Sequence, residues 1–200
     1  MSQEQIKKIQ AEIFELNKKV AQLRADNWGA EVPNYEFKEI AGTVNLKSLF
    51  GTQKQLMVIH NMGQGCRYCT LWADGINGFL PHLESMMAVV LVSKDDPELQ
   101  RRYANSRGWR FRMASHGGQG YIREQVIREG EFNSPGVSLY EMKDGKIFLR
   151  NRAGFGPYDE FCSFWSFIGL AGRGTENWDA QYTYWKRPAV LDDGGEGLEN

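Results

Sequence analysis

Residues 55–69 read QLMVIHNMGQGCRYC. Their first part, Gln55–His60, is a continuous apolar run rather than an alternating one, which is typical of a strand buried on both faces. A glycine-containing turn follows, and Cys66 and Cys69 come directly after it. Because residues 69–84 have helical character, we predict that the cysteine pair lies between the end of a buried strand and the head of a helix.

A second apolar run, Met87–Ser93, comes after the helical segment and repeats the strand pattern. Strand, helix and strand in this order form a βαβ unit, so the predicted fold class is α/β. The helix contains Pro81, which lacks a backbone donor, and we expect the helix to be broken or kinked before it. The other predicted elements are a hairpin or irregular strand region at 35–44, a helical turn at 45–51, a helix at 97–107, a short strand at 109–113, a flexible loop at 117–120, a hairpin at 136–150 and a helix at 161–170.

Residues 3–25 carry an apolar stripe at helical spacing. Its members are Ile6, Ile9, Ile13, Leu16, Val20 and Leu23. The spacing predicts an amphipathic helix, and two interpretations stay open. The helix is either a short coiled-coil arm that forms a homodimer or a helix that lies on its own domain.

The charges are balanced, with 24 lysines and arginines against 25 aspartates and glutamates. A net charge of −1 leaves no electrostatic footprint for nucleic acid. No apolar run has the length of a signal segment or a membrane span, so we expect a cytoplasmic protein that binds neither nucleic acid nor membrane. Three cysteines are too few for a disulfide framework and odd in number, so a close pair implies redox chemistry or a metal.

The position of Cys66 favours a reactive thiolate. Unpaired backbone N–H groups and the helix dipole stabilise negative charge at a helix start, and Arg67 adds a positive charge. We therefore expect the pKa of this thiol to lie below its ordinary value. Cys69 lies about one turn further on, within reach of a mixed disulfide at Cys66. Cys66 is thus the predicted nucleophile and Cys69 the predicted resolving cysteine.

A zinc site is the alternative use of a C-x-x-C pair, since half of such a site has the same spacing. The remaining ligands would have to come from His60, His82, His116 or Cys162. None of these stands in a second C-x-x-C or H-x-x-x-H spacing, so we favour redox chemistry and expect no metal and no cofactor. Cys162 lies in an aromatic run and is expected to be a buried, inert thiol.

Residues 60–78 read HNMGQGCRYCTLWADGING. This string resembles the thioredoxin active-site run and, more specifically, a bacterial family known as domain of unknown function 899. The Trp-Ala-Asp-Gly run after the second cysteine is the family's most recognisable feature. The resemblance continues through 108–111, 133–138 and 152–157 and so covers most of the chain. It implies a thioredoxin-like fold, with a central mixed sheet flanked by helices, and a dithiol-disulfide oxidoreductase activity.

The pattern and composition along the chain also indicate how it is divided. We predict an N-terminal helical arm at 1–30 and a thioredoxin-like domain at 31–190. The remaining residues, 191–200, are rich in glycine and acidic side chains. They are predicted to form a disordered acidic tail.

Two positions depart from the thioredoxin pattern. Arg67 stands where many thioredoxins have proline, and Gly65 stands where they have tryptophan. These changes imply a different redox potential and a different docking surface, while the dithiol is kept. Arg67, Tyr68 and Trp72 are the residues expected to tune the dithiol or face the substrate, although a tryptophan in this place is more often a core residue.

His60 stands where thioredoxins keep a buried acid that helps to deprotonate the second cysteine. An imidazole titrates near neutrality, so His60 is a candidate base; the other interpretation is a strand-end histidine satisfied by a backbone carbonyl. Pro135 precedes a predicted strand, as does the cis-proline that faces the dithiol in thioredoxins. Because Gly136 follows it here, an ordinary trans proline in a turn is an equal interpretation.

The leading hypothesis for function is an enzyme that exchanges disulfides with a protein or a small molecule through Cys66 and Cys69. A thiol peroxidase of peroxiredoxin type is the second hypothesis. Its pattern needs a proline and a threonine upstream of the nucleophile, whereas Gly63 stands three residues before Cys66 here. A third hypothesis is a non-catalytic module whose dithiol senses redox state or holds a metal.

Overall fold

The computed structural model describes residues 2–117, 120–124, 133–176 and 178–184. The strands in these residues are β1 (Glu36–Glu39), β2 (Gly42–Asn45), β3 (Gln55–His60), β4 (Ala88–Ser93), β5 (Arg112–Ser115), β6 (Gly136–Lys143) and β7 (Lys146–Gly154). The helices are α1 (Gln3–Asp26), α2 (Leu46–Leu49), α3 (Arg67–Glu84), α4 (Pro97–Arg107), α5 (Gly120–Glu124) and α6 (Phe164–Leu170).

These strands form one mixed sheet in the order β2-β1-β5-β4-β3-β6-β7. β3, β4 and β5 run parallel, with α3 and α4 as the crossover helices, which confirms the predicted βαβ unit. β6 pairs with β3 in the antiparallel sense, and β7 pairs with β6 in the same way. β3 therefore lies inside the sheet, with a neighbour on each side.

Apolar clusters cover both faces of the sheet. Side chains alternate along β3, so Ile59 points to one face while Leu56 and Val58 point to the other. The face of Ile59 packs against α3, α4 and α6, and we call it the α3 face. The opposite face packs against α2 and α5, and we call it the α2 face. The result is the layered α/β architecture that the sequence predicted.

The helix after the cysteines is longer and more regular than predicted. α3 begins at Arg67 and continues through Pro81 to Glu84, so the expected break is wrong. The backbone N–H of Ser85 still donates to the carbonyl of Pro81 at 3.2 Å. Buried side chains before the proline, such as Leu80, pack this part of the helix against the sheet. This packing stabilises the helix by more than the loss of one backbone hydrogen bond at Pro81 destabilises it.

The short strand predicted at 109–113 is present but lies further along the chain, because β5 is Arg112–Ser115. Gly108 ends α4 in the left-handed region with φ +69°, and the chain leaves the helix in a turn. The indole of Trp109 then donates to a carboxylate oxygen of Asp74 at 2.7 Å. This contact directs the segment toward α3 before it joins the sheet.

The helix predicted at 161–170 begins three residues later, at Phe164. One carboxylate oxygen of Asp159 accepts the backbone N–H groups of both Phe161 and Cys162, each at 3.0 Å. These bonds form a turn that occupies the residues before the helix. A side chain outside the helix therefore sets where it begins.

Both predicted hairpins are present. The first consists of β1 and β2, and the second consists of β6 and β7 with the turn Asp144-Gly145 between them. Both turn residues have positive φ, as a tight hairpin turn with the natural strand twist requires. In the predicted loop at 117–120, Gly120 belongs to α5, and residues 118–119 lie outside the described residues, as does the predicted tail at 191–200.

α1 spans 24 residues, and the described part of the chain buries none of them. Its C-terminal end is attached to β7, because the guanidinium of Arg150 donates to the carbonyls of Ala25 and Asn27 at 2.9 and 2.6 Å. Arg24 also forms a salt bridge with Glu160 at 2.6 Å. The boundary between the arm and the domain stays a prediction. Within the described ranges, none of the helices has both the length and the apolar character required to cross a membrane.

Candidate active site

The two cysteines lie at the N-terminus of α3. Cys66 is the N-cap residue, and its sulfur accepts a hydrogen bond from the backbone N–H of Cys69 at 3.1 Å. The two residues form a disulfide, with their Cα atoms 5.3 Å apart. Because the first N–H groups of a helix have no partner within it, this position stabilises a Cys66 thiolate when the disulfide is reduced.

The two sulfur-bearing residues differ in their access to solvent. Cys66 is half-buried, whereas Cys69 is only 3% exposed. An incoming disulfide can therefore reach Cys66 more easily than Cys69. The asymmetry fits the predicted division into a nucleophile and a resolving cysteine, and those roles stay predictions.

The loop between β3 and α3 folds over Cys69. The side chain of Asn61 donates to the carbonyl of Cys69 at 3.4 Å and accepts the backbone N–H of Gly63 at 2.8 Å. The backbone N–H of Met62 donates to the Cys69 sulfur at 3.5 Å. A backbone donor thus faces the sulfur of Cys69.

Asp95, which lies just beyond β4, fixes the same loop from its other side. One of its carboxylate oxygens accepts the backbone N–H of Gln64 at 2.7 Å. A Cβ atom added to Gly63 would lie 2.9 Å from these carboxylate oxygens, and Gly63 has φ +113°. Glycine is therefore required at this position, both for space and for backbone conformation.

The residues between the cysteines contact the last described segment of the chain. A guanidinium nitrogen of Arg67 donates to the side-chain oxygen of Gln181 at 3.3 Å. The hydroxyl of Tyr68 donates to Asp179 at 3.0 Å, and its ring packs edge-on against Trp178 at 6.2 Å. Burial and the neighbouring Asp179 raise the pKa of Tyr68. Whether Arg67 and Tyr68 tune the dithiol stays a prediction.

His60 is buried at the end of β3 on the α2 face, opposite to α3. Its Nε2 atom lies 3.1 Å from the side-chain oxygen of Asn133, and its ring stacks on that of His116 with centroids 5.3 Å apart. Burial lowers the pKa of His60, and the bond to Asn133 opposes this shift only in part. The imidazole is therefore neutral at pH 7, and its role as a base stays a prediction.

Trp72 lies in the core of the α3 face. It is 3% exposed, its ring stacks on Phe155 at 5.5 Å, and its indole N–H donates to Asp159 at 2.8 Å. The structure thus shows Trp72 as a core residue on the same helix as Cys69. Its effect on the redox properties of the pair stays a prediction.

Pro135 lies next to the end of β3, because the following residue, Gly136, pairs with His60 in the β3–β6 ladder. Its carbonyl accepts the backbone N–H of Phe155 at 2.9 Å. No peptide bond within the described residues is cis, so the bond before Pro135 is trans. Of the two interpretations, the structure has the trans proline.

The candidate zinc ligands are dispersed. His60 and His116 lie together on the α2 face, His82 is exposed on α3, and Cys162 is buried on the α3 face. In the ranges that the structure describes, no group of three or more His, Cys, Asp or Glu side chains could hold a metal ion. Burial raises the pKa of the Cys162 thiol, as expected for an inert cysteine.

Three residues at this site were not identified from the sequence. Asn61 stands two residues before Gly63, which is the spacing of an Asx turn and was a usable signal. Asp95 follows a parallel strand beside β3, at the strand edge where functional groups of α/β sheets collect. Asn133 gave no local signal, because its contact with His60 spans 73 residues.

The fold and the site together define a thioredoxin-fold protein with a C-x-x-C pair. Peroxiredoxin Q of Xanthomonas campestris is similar in structure, with 16% identity and a TM-score of 0.53, over 72% of this chain and 96% of that chain. Peroxidoxin BcpB of Mycobacterium tuberculosis is similar with 15% identity and a TM-score of 0.52, over 72% and 94% of the two chains. At such identities the likeness shows the fold alone.

A family model described as bacterial protein of unknown function (DUF899) matches residues 8–189. The chain belongs to this family, which confirms the resemblance found in the sequence. No curated protein has a significant match to the chain.

Proposed function

We propose that the chain is a thiol-disulfide oxidoreductase in which Cys66 attacks and Cys69 resolves. One observation carries the proposal: a half-buried Cys66 sulfur at the N-terminus of α3 accepts the N–H of a buried cysteine at 3.1 Å. Such a position lowers the pKa of a thiol and keeps the second thiol within reach. Solved proteins of similar fold are named as peroxiredoxins, which supports thiol-based redox chemistry.

The proposed reaction has two balanced steps. The Cys66 thiolate attacks one sulfur of the substrate disulfide, forms a mixed disulfide and releases the other sulfur as a thiolate, which takes up a proton. The Cys69 thiolate then attacks the Cys66 sulfur, forms the Cys66–Cys69 disulfide and releases the second substrate thiol. Two electrons pass from the protein dithiol to the substrate, and an external dithiol has to return them.

The substrate class follows from the shape of the site. Half-buried Cys66 is accessible to a disulfide of a protein or of a small molecule, and the proposal includes no nucleic-acid partner, in keeping with the balanced charge of the chain. The proposed place of action is the cytoplasm, where an external dithiol is available to reduce the pair.

The test is a single-turnover reaction of the reduced protein with oxidised glutathione or with insulin. Thiols and protein adducts are followed by mass spectrometry. The wild type should re-form the Cys66–Cys69 disulfide and release both substrate thiols. Cys69→Ser should stop as a mixed disulfide at Cys66, and Cys66→Ser should not react through this site.

Cys162→Ser is the matched control, because it removes a buried free cysteine that is not part of the pair. It should behave as the wild type does. If the reduced protein has both thiols of the pair titratable and leaves both model disulfides intact, the proposed function is wrong.

A peroxidase is the second candidate, and the similar fold of the named peroxiredoxins favours it. In that reaction the Cys66 thiolate attacks the O–O bond and becomes a sulfenic acid while water or an alcohol leaves; Cys69 then condenses with it to give the disulfide and water. Against it, the nearest threonine hydroxyl along the chain, that of Thr70, bonds to the Cys66 carbonyl at 3.1 Å and to Tyr103 at 2.9 Å. It is thus engaged within the protein.

Hydrogen peroxide distinguishes the two candidates. A peroxidase should consume one peroxide for each dithiol oxidised, and Cys69→Ser should carry a sulfenic acid at Cys66. A disulfide oxidoreductase should react faster with oxidised glutathione or insulin than with peroxide at equal concentration.

A further inference from the structure

α1 presents an unusual surface. Large apolar side chains follow one side of this 24-residue helix, which is about 36 Å long, and the described part of the chain leaves each of them 36–63% exposed. They are Ile6, Ile9, Ile13, Leu16, Val20 and Leu23. We call this set the α1 stripe. A helix of this kind takes most of its stability from packing of its apolar side, so the stripe is suited to a partner.

The spacing of the stripe identifies the kind of partner. Its members alternate at three and four residues, which is the heptad pattern that packs two helices side by side. A second copy of the same helix offers the complementary surface. We propose that two copies of the chain pair through α1 in an antiparallel arrangement.

The charges beside the stripe favour the antiparallel direction. Glu12 and Lys19 stand at equivalent flanking positions, each one residue before a stripe member. In an antiparallel pair, Glu12 of each copy meets Lys19 of the other, so the attraction occurs twice. In a parallel pair, Glu12 would instead face the neutral Asn17 of the second copy, and Lys19 would face Arg24, a like charge that is already paired with Glu160 of its own chain. Neither contact would be attractive.

The same direction also aligns the apolar side chains. The antiparallel register brings together Ile6 with Leu23, Ile9 with Val20, and Ile13 with Leu16 of the second copy. Val20 and Leu23 also line a groove of about 440 Å³ that continues to Asn151 of β7. The N-terminal turns of the second helix would lie beside this groove, so the contact extends from the arm to the domain.

The first test measures the mass of the full chain in solution by light scattering and sedimentation. The wild type should be a dimer, and Ile13→Glu should give a monomer because it places a charge at the centre of the stripe. Phe14→Glu is the matched control, since Phe14 is 62% exposed but lies outside the stripe, and it should remain a dimer. A monomeric wild type overturns the proposal, whatever else covers the stripe.

The second test determines the direction. Lys19→Glu should weaken the antiparallel dimer, because Glu12 of each copy then faces an acidic side chain of the other, and the double exchange Glu12→Lys with Lys19→Glu should restore it. In a parallel dimer, Lys19→Glu would remove the repulsion with Arg24 and strengthen the dimer, so this result overturns the antiparallel arrangement. Cys66→Ser with Cys69→Ser should dimerise as the wild type does, so failure of the proposed function and failure of the pairing are distinguishable.

Discussion

The Nε2 atom of His60 lies 3.1 Å from the Oδ1 atom of Asn133. The amide nitrogen of Asn133 in turn donates to the carbonyl of Met62 at 3.3 Å, and the N–H of Met62 donates to the Cys69 sulfur at 3.5 Å. His60 is thus linked to Cys69 through one side chain and one stretch of backbone. Asn133 itself has φ +60°, a conformation that asparagine adopts more readily than most residues.

Asn133→Ala should slow the second step of disulfide exchange. Without the amide, the backbone of Met62 loses the bond at its carbonyl that helps to hold this residue where its N–H faces Cys69. One such bond contributes about 1 kcal/mol, or roughly fivefold in rate. The measurement is the rate at which Cys69 releases glutathione from Cys66. The rate of attack by Cys66 is the internal control and should stay unchanged; equal slowing of both steps would indicate a general loss of structure instead.

The variant His60→Gln tests whether His60 acts as a base or only as a hydrogen-bonding residue. Glutamine keeps an amide that can bond to Asn133 but cannot take up a proton near neutral pH. If His60 is the base for Cys69, the release step should slow and lose part of its pH dependence. Unchanged reactivity of Cys69 in this variant would show that the base role is wrong.

Stability should fall in mild acid because of the buried histidines. Burial, together with the smaller effect of the charge of His60, lowers the pKa of His116 from 6.5 to about 4. The unfolded chain therefore binds this proton as the pH falls below about 6.5, whereas the folded chain does not until about pH 4, so the free energy of unfolding falls by roughly 3 kcal/mol across that window. Urea unfolding at pH 7 and pH 4.5 measures the loss. His116→Gln should reduce this pH dependence, and a variant that keeps the wild-type dependence would contradict the account.

Gly63→Ala should destabilise the loop over Cys69. The new Cβ would meet the Asp95 carboxylate, and φ +113° is strained for any other residue, so the expected cost is about 1–3 kcal/mol. Gly65→Ala is the matched control, since its Cβ would have no atom within 4 Å. Thermal and urea unfolding of the two variants should differ; equal stability would mean that the Asp95 contact does not constrain the loop.

Asp159→Ala should lower the free energy of unfolding. Its carboxylate accepts the indole N–H of Trp72 and the backbone N–H groups of Gly156, Phe161 and Cys162. Removing it leaves partly buried donors unsatisfied, at an expected cost of about 2–4 kcal/mol. The neighbouring Glu160→Ala breaks only an exposed salt bridge and should cost less than about 1 kcal/mol in urea unfolding. Similar losses in both variants would contradict this account.

The parts of the fold that local pattern determines were predictable. The buried run of β3, the cysteines at a helix start and the Asp144-Gly145 hairpin each follow from a few neighbouring residues. The element bounds that were predicted incorrectly depend on residues distant in the sequence. Trp109 is directed by Asp74, and α3 continues past Pro81 because the sheet holds it. Neither effect is visible in a short stretch of sequence.

The site residues likewise fall into those that local sequence pattern predicts and those that long-range contacts bring together. Cys66 and Cys69 were evident from their spacing and from the strand before them. The side chains that fix the loop over Cys69 come from three separate segments, and Asp95 and Asn133 reach this loop only when the sheet brings those segments together. Long-range contacts of this kind leave no periodic pattern, so they required the structure.

Arg67 and Tyr68 are the two residues between the cysteines of the pair. Here both side chains are bound by residues 178–184 of the same chain. Another segment of the same chain therefore contacts the dithiol region on that side. Among the described residues next to Cys66, Gly65 is exposed and has no side chain. Under the proposed function, a disulfide partner that approaches Cys66 past Gly65 would meet main chain at that position rather than a side chain.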